Sequence, residues 1–269
     1  MQVTAKSLVT EVLSVARAGR QPSVRVSLLI DACAIFGFSA NTVRVTLAKM
    51  RAAGDVDSPS RGLYRLGPRS RDLSDRVMGW RGVAERTTAW DGSWIGVVTG
   101  HLSRTDRPAL GRRSRALRLL GFRSLEDGLY LRPNNLVGGV GEARATLERL
   151  GLESRALVTR LGELAEGDTA RALRLWDCKA IIVGYQDLRL RLRDSMRRRE
   201  ELPLEESMRE AFLLGREVIR WVALDPLLPA QMVPAAERDA LVEEMVRYDE
   251  NGRRLWWRYL GLAESEVAA

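Results

Sequence analysis

The chain has 269 residues, 45% hydrophobic and 29% charged without low-complexity tracts, which is globular composition and excludes disorder as its theme. Its net charge of +8 is uneven: residues 1–90 carry 14 Lys+Arg against 7 Asp+Glu, residues 91–166 carry 12 against 9, and residues 167–269 carry 17 against 19. One histidine, two distant cysteines, no secretory leader pattern and no apolar run near about 18 residues exclude a histidine-rich metal site, a disulfide framework and a membrane helix, and leave the cytoplasm as the expected compartment.

Thr4 can cap a first helix, Ala5 to Ala18, with Leu8, Val9, Val12, Leu13 and Ala16 on its apolar stripe; Gly19 ends it and Pro22 lies in the connection. Val24 to Ile35 is helical by period, and Phe36-Gly37-Phe38 is a tight turn into a third helix that Ser39 caps and Gly54 stops. At about 100° per residue, Val43, Leu47 and Met50 share one side of that helix, while Asn41, Val45, Ala48, Lys49 and Ala52 fall opposite, flanked by Thr42, Arg44 and Arg51. The pairing of helices is helix-turn-helix grammar. Val56 opens an extended segment, residues 57–62 are turn chemistry, and Leu63 to Leu66 alternates as a strand, so a wing follows.

Small outward residues let such a helix lie in a major groove about 12 Å wide, while polar and cationic ones offer donors to base edges and phosphates. The candidate DNA contacts are therefore Ser39, Asn41, Thr42, Arg44, Val45, Lys49 and Arg51 on the helix, with Arg61 and Arg65 on the wing. The alternative is an ordinary amphipathic helix with a solvated basic face. The charge excess of residues 1–90 suits a phosphate-facing module, although Arg-rich chains carry solvated arginine everywhere.

Residues 1–68 thus read as a winged helix-turn-helix domain, and residues 69–88 as a linker helix whose Arg69, Arg71, Arg76, Arg81 and Arg86 face solvent or touch phosphates. From residue 89 to 166 the order is strand Trp94–Thr99, helix Arg107–Leu120, strands Phe122–Leu125 and Gly128–Arg132, helix Glu142–Leu150 and strand Ala156–Leu161. That β-α-β-β-α-β order predicts a ferredoxin-like domain. Residues 167–269 read as helical: Ala170–Trp176 capped by Thr169, a long segment from Asp177 to Arg199, Leu204–Val222, the rigid turn Asp225-Pro226-Leu227-Leu228-Pro229, and Glu237–Leu260 with a possible kink at Asn251-Gly252. The fold class is α+β and multidomain. Cys33 and Cys178 read as small buried hydrophobes.

Several separated stretches, taken in order, carry a resemblance: Phe36-Gly37-Phe38-Ser39 with Val43, Arg44 and Met50; Arg61-Gly62 with Tyr64-Arg65-Leu66; Trp90-Asp91-Gly92-Ser93-Trp94; Gly121-Phe122 with residues 128–133; and residues 225–229. On these the chain resembles the PaaX family of phenylacetate-degradation repressors along nearly its whole length. The resemblance implies a winged helix, a middle domain similar to small ferredoxin-like CRISPR-associated nucleases, a helical C-terminal domain, and a homodimeric repressor on operator DNA, relieved by an aryl- or acyl-CoA thioester. Two departures stand out: Pro234-Ala235-Ala236-Glu237-Arg238-Asp239 where the family tends to carry Trp and Gly, and Gly54-Asp55-Val56 where its wing begins Gly-Trp-Leu. The first bears on the identity of the effector.

A thioester effector needs cations for phosphates and an apolar slot. The candidate lining is Trp90, Trp94, Arg132, Trp176, Tyr185, Arg220 and Trp221, all of which could equally be core. Catalysis is not expected. His101 reads as a surface loop residue, and Thr99-Gly100 stands where the similar nucleases place an aspartate, with Asp106 displaced downstream. No cofactor or metal is implied. The competing readings are a nucleic-acid-binding scaffold without effector and a metal-dependent nuclease.

Overall fold

The computed structural model describes residues 3–18, 23–68, 70 and 79–260. The chain divides into two compact units, one of Met1–Arg81, Leu192–Ile219 and Met245–Ala269, the other of Gly82–Arg191 and Arg220–Glu244. The helices of residues 167–260 are thereby shared between the two. No described helix is long and apolar enough to cross a membrane.

In the first unit α1 spans Ala5–Ala18. Its start is held by a reciprocal pair in which the Ser7 amide donates to Thr4 Oγ1 at 3.1 Å and the Thr4 amide to Ser7 Oγ at 3.1 Å. α2 spans Val26–Ala34 and α3 Ala40–Ala52. The chain turns between them through Gly37 at φ +80°, a conformation glycine adopts without a Cβ penalty. The helix expected from Val24 begins at Val26 instead. Val24 and Arg25 form a short strand β1, with Val24 opposite Tyr64 and Arg25 opposite Leu63. β2 (Val56–Asp57) and β3 (Leu63–Leu66) make a hairpin with Val56 opposite Leu66, and the three strands lie in the order β1-β3-β2. Leu8, Val9, Leu13, Leu29, Cys33, Val43, Leu47, Met50, Val56 and Leu66 close one core between these helices and the sheet.

The linker helix expected over 69–88 falls partly on residues outside those described, namely 69 and 71–78. What is described departs from it: Gly79–Gly82 and Ala84–Arg86 are two 3-10 turns, with Trp80 buried. Arg81 is paired with Asp249, which also meets Arg253 at 3.0 Å. Burying an indole and pairing Arg81 defeats the uniformly solvated face that the arginine spacing suggests.

In the second unit β4 (Trp94–Val98), α4 (Arg107–Leu119), β5 (Arg123–Glu126), β6 (Leu129–Pro133), α5 (Gly139–Arg149) and β7 (Leu157–Leu161) follow in order. The sheet is antiparallel with strand order β5-β6-β4-β7, Ile95 of the central strand lying opposite both Arg132 and Arg160. Period-two alternation sends Ile95, Val97 and Val158 into a core with Ala116 and Leu117 of α4, Leu120 at its C-cap, and Ala143 and Leu147 of α5. On the alternate set, a Cβ at Gly96 would lie 2.9 Å from Leu161 Cδ1, so glycine lets that leucine close over the strand.

α6 is Glu166–Leu173, starting four residues and ending three residues earlier than expected, with Thr169 inside it donating to Leu164 O at 3.3 Å instead of capping. α7 (Cys178–Arg199) is capped by Asp177, whose Oδ1 accepts the Ala180 amide at 2.9 Å. α8 spans Leu204–Ala223, and α9 runs from Ala235 to Leu260 without a break at Asn251-Gly252.

Candidate nucleic-acid interface

α3 is fixed from within its own sequence. Ser39 Oγ accepts the Thr42 amide at 3.2 Å and lies 2.9 Å from Thr42 Oγ1, satisfying one of the amides a helix start leaves open. Val43, Leu47 and Met50 are buried in the core, which orients the helix and leaves its other side outward. Asn41, Thr42, Arg44, Val45, Ala48, Lys49, Arg51 and Ala52 are all exposed, as is Ser39 at the cap. Val45 is 45% exposed, an apolar side chain on the face that otherwise carries cations and amides. Among the described residues, the side chains of Arg44, Lys49, Arg51 and Arg61 have no hydrogen-bond or ion-pair partner. No described side chain neutralises their charges.

The hairpin adds two more cations. Arg61 is exposed beside Gly62, which turns the chain at φ +78°. Arg65 lies opposite Asp57 on the hairpin, 3.6 Å from its Oδ2. Both partners are solvated, so the pair is worth under about 1 kcal/mol and a phosphate can compete for the guanidinium. One exposed cation escaped the sequence reading: Arg25, on the two-residue β1, which is too short for any pattern and exists because β3 pairs with it.

The seven residues considered for an effector all belong to the second unit. Trp94 stacks on Trp176 at 6.3 Å and meets Trp90 edge-on at 5.2 Å. Trp90 Nε1 donates to Ser93 O at 2.5 Å and Trp176 Nε1 to Gly121 O at 3.1 Å. Arg132 is buried, donating to Leu120 O, Pro133 O, Asn135 Oδ1 and Pro226 O. Burial, with Arg86 adding to it and Asp225 opposing, pulls its pKa down to about 9. Tyr185 donates to Asp225 Oδ2 at 2.5 Å and meets Trp221 edge-on at 4.9 Å. Gly184 permits this, since a Cβ there would lie 2.9 Å from the Trp221 ring. Trp221 is half-buried and Arg220 exposed. Of the four buried members, Arg132 and Tyr185 bond to Pro226 and Asp225 of the 225–229 turn, Trp176 bonds to Gly121 O, and Trp94 is stacked between rings.

Two residues weighed for catalysis bond to backbone groups. His101 is exposed with Nε2 2.8 Å from Arg155 O, and Asp106 caps α4 by accepting the Ala109 amide at 3.0 Å. Among the described residues no three His, Cys, Asp or Glu side chains cluster as metal ligands would. Cys33 is buried and Cys178 half-buried; burial raises both thiol pKa values, that of Cys33 to about 11.

Residues 4–70 match the model of a family described as PaaX-like protein. Among solved structures, the chain is similar to an uncharacterized protein, Rv0674, from Mycobacterium tuberculosis, with a TM-score of 0.59 and 24% identity over 93% of this chain and 98% of that one. That likeness is one of fold. No curated protein is significantly similar in sequence.

Proposed function

We infer, from a segment of residues 4–70 that is PaaX-like, that this chain is a transcriptional regulator which binds operator DNA through a winged helix-turn-helix formed by α1–α3 and the β2–β3 hairpin. The observation that carries the reading is the division of α3. One side is locked in the core by Val43, Leu47 and Met50, and the other presents small, polar and unneutralised cationic side chains to solvent. Ala48 and Ala52 keep the helix shallow enough to sit deep in a major groove, and Asn41 and Arg44 have the donor geometry that reads adenine and guanine edges. Arg61 and Arg65 would meet flanking phosphates.

The chain acts, on this reading, as a homodimeric repressor whose two α3 helices reach half-sites roughly 34 Å apart or a multiple of that. The β-α-β-β-α-β unit with strand order β5-β6-β4-β7 is taken as ferredoxin-like. An effector such as an aryl- or acyl-CoA thioester relieves repression only if it binds the DNA-competent and DNA-incompetent states with different affinity. A second reading, a nucleic-acid-binding scaffold without effector, is favoured by one observation: Trp94, Arg132, Trp176 and Tyr185 are buried and engaged within the chain.

The deciding experiment selects bound sites from random duplex DNA and then measures Arg44→Ala on the selected site and on unrelated duplex. A bidentate guanine contact predicts a loss of about 1–3 kcal/mol on the selected site, with relaxed preference at one base position. Equal loss on both would assign Arg44 to the backbone. Failure of the wild type to prefer any sequence at moderate salt would remove the reading. Titrating acyl-CoA thioesters against the selected complex separates regulator from scaffold.

A further inference from the structure

α2 ends at Ala34 with Ile35 as its C-cap, and its last turn carries no basic residue to meet the open carbonyls and the negative end of its dipole. The missing cation comes from 174 positions away: Arg209 of α8 donates through Nε to Ile35 O at 3.0 Å and through Nη2 to the same oxygen. One turn further along α8, Phe212 sets its ring edge-on to Phe36 at 5.0 Å and packs against the α1–α3 core. One turn beyond that, Arg216 reaches Glu11 Oε1 at 3.1 Å and Ser7 Oγ at 3.4 Å. Residues 209, 212 and 216 recur at helical spacing, so a single stripe of α8 lies along α1 and the end of α2.

The residues it touches matter for α3. Ile35 and Phe36 open the turn that delivers the chain to Ser39, and that turn is otherwise held by three backbone bonds: Phe36 N to Cys33 O, Gly37 N to Ala34 O and Phe38 N to Cys33 O. The adjacent stripe of α8 faces other helices. Ser207 donates to Arg199 O at 2.9 Å, and a Cβ at Gly215 would lie 3.4 Å from Met245 Cε.

Resting on the DNA-binding reading, we propose that Arg209 and Phe212 are positioning residues for the recognition helix. α8 supplies from the far end of the chain the C-terminal cap of α2, and it thereby fixes the angle at which α3 is presented to DNA. The unit that reads sequence is α1–α3, the hairpin and residues 204–219 together, and a partner or ligand that displaced α8 would be felt first at residues 35–38.

The test uses the full chain with Arg209→Met, Arg209→Lys and Phe212→Ala. It compares affinity for the selected duplex, affinity for unrelated duplex, and amide hydrogen exchange across 36–42. Arg209→Met should lose tenfold or more on the selected duplex with unrelated duplex unchanged, and exchange should quicken at 36–42 while the α1 and α3 core amides keep wild-type rates. Lysine, which can still donate to one carbonyl, should recover much of the loss. Phe212→Ala should act in the same direction. Wild-type selectivity in Arg209→Met, equal loss on both duplexes, or unchanged exchange at 36–42 would each overturn the proposal. A wild type without sequence preference sinks the DNA reading instead; unaltered exchange in Arg209→Met would then still show that α8 does not hold the turn.

Discussion

Tyr185→Phe removes one oxygen and leaves the ring against Trp221, so its cost isolates the hydroxyl bond to Asp225. That carboxylate is central to the 225–229 turn. Its Oδ2 accepts Tyr185 at 2.5 Å and its Oδ1 accepts the Leu227 amide at 2.7 Å, while Leu227 sits at φ +52° with its carbonyl accepting Asn135 Nδ2 at 2.7 Å. A left-handed leucine costs of order 1 kcal/mol and persists because these bonds over-determine it. A hydrogen bond to a buried charged acceptor is worth about 1.5–3 kcal/mol, and no cavity opens, so the expected loss is about 2 kcal/mol, or roughly 4–8 °C in melting temperature.

The loss should depend on pH with a definite sign. Burial raises the Asp225 pKa, opposed by the Tyr185 bond, the Leu227 amide and Arg238. Deleting the hydroxyl raises it further. A carboxyl whose folded pKa is raised stabilises the fold progressively as pH falls through the folded pKa toward the unfolded value. The variant enters that window at higher pH and regains ground, so the deficit is largest near pH 8 and shrinks toward pH 4. Thermal unfolding by calorimetry and circular dichroism from pH 4 to 8 measures it. A deficit below about 0.5 kcal/mol at pH 8, or one that is flat with pH, would refute the reasoning. Unchanged stability with loss of a thioester response would return Tyr185 to a ligand site.

Three further outcomes follow from other parts of the molecule. Arg61→Ala should reduce the slope of log affinity against log salt by about one unit while leaving sequence preference intact; an unchanged slope would take the hairpin off the DNA. Glu11 is half-buried, and desolvation outweighs Arg216 to raise its pKa to about 7. The folded state therefore gains about 2 kcal/mol as pH falls from above 7 toward 4.5, allowing for residual solvent contact. Urea unfolding of wild type and Glu11→Gln across pH 5–8 should show the wild type gaining more stability toward low pH than the variant, by about that amount. Arg199 is buried against the Tyr248 ring at 4.4 Å, with no hydrogen-bond partner for its three guanidinium nitrogens among the described residues. Arg199→Met should raise unfolding stability by about 1 kcal/mol, since relief of an unpaired buried charge exceeds the lost cation–π contact; a clear destabilisation in urea titrations would contradict this.

Much of the local structure was legible because it is encoded within ten or so residues. Ser39, the spacing of Val43, Leu47 and Met50, and the stop at Gly54 specify α3 and its two faces without help from the rest of the chain. The same holds for β4, β6 and β7, short segments rich in apolar residues that become strands of the antiparallel sheet. The exposed side of α3 was readable for that reason: a residue that must stay out of the core is revealed by its neighbours that must go in.

What the sequence could not decide is where groups find partners far along the chain. β1 is two residues long and is extended only because β3 lies beside it. Arg132 reads equally as a ligand contact or as core, and it is buried because the carbonyls of Leu120 and Pro226 converge on it. Arg209 sits in a helix whose composition suggests a separate C-terminal domain, and only folding brings it to the end of α2. Periodicity is a property of the local backbone and is written in the order of side chains. The match of a guanidinium to carbonyls more than ninety residues distant depends on how the elements pack, and no short window of sequence contains that information.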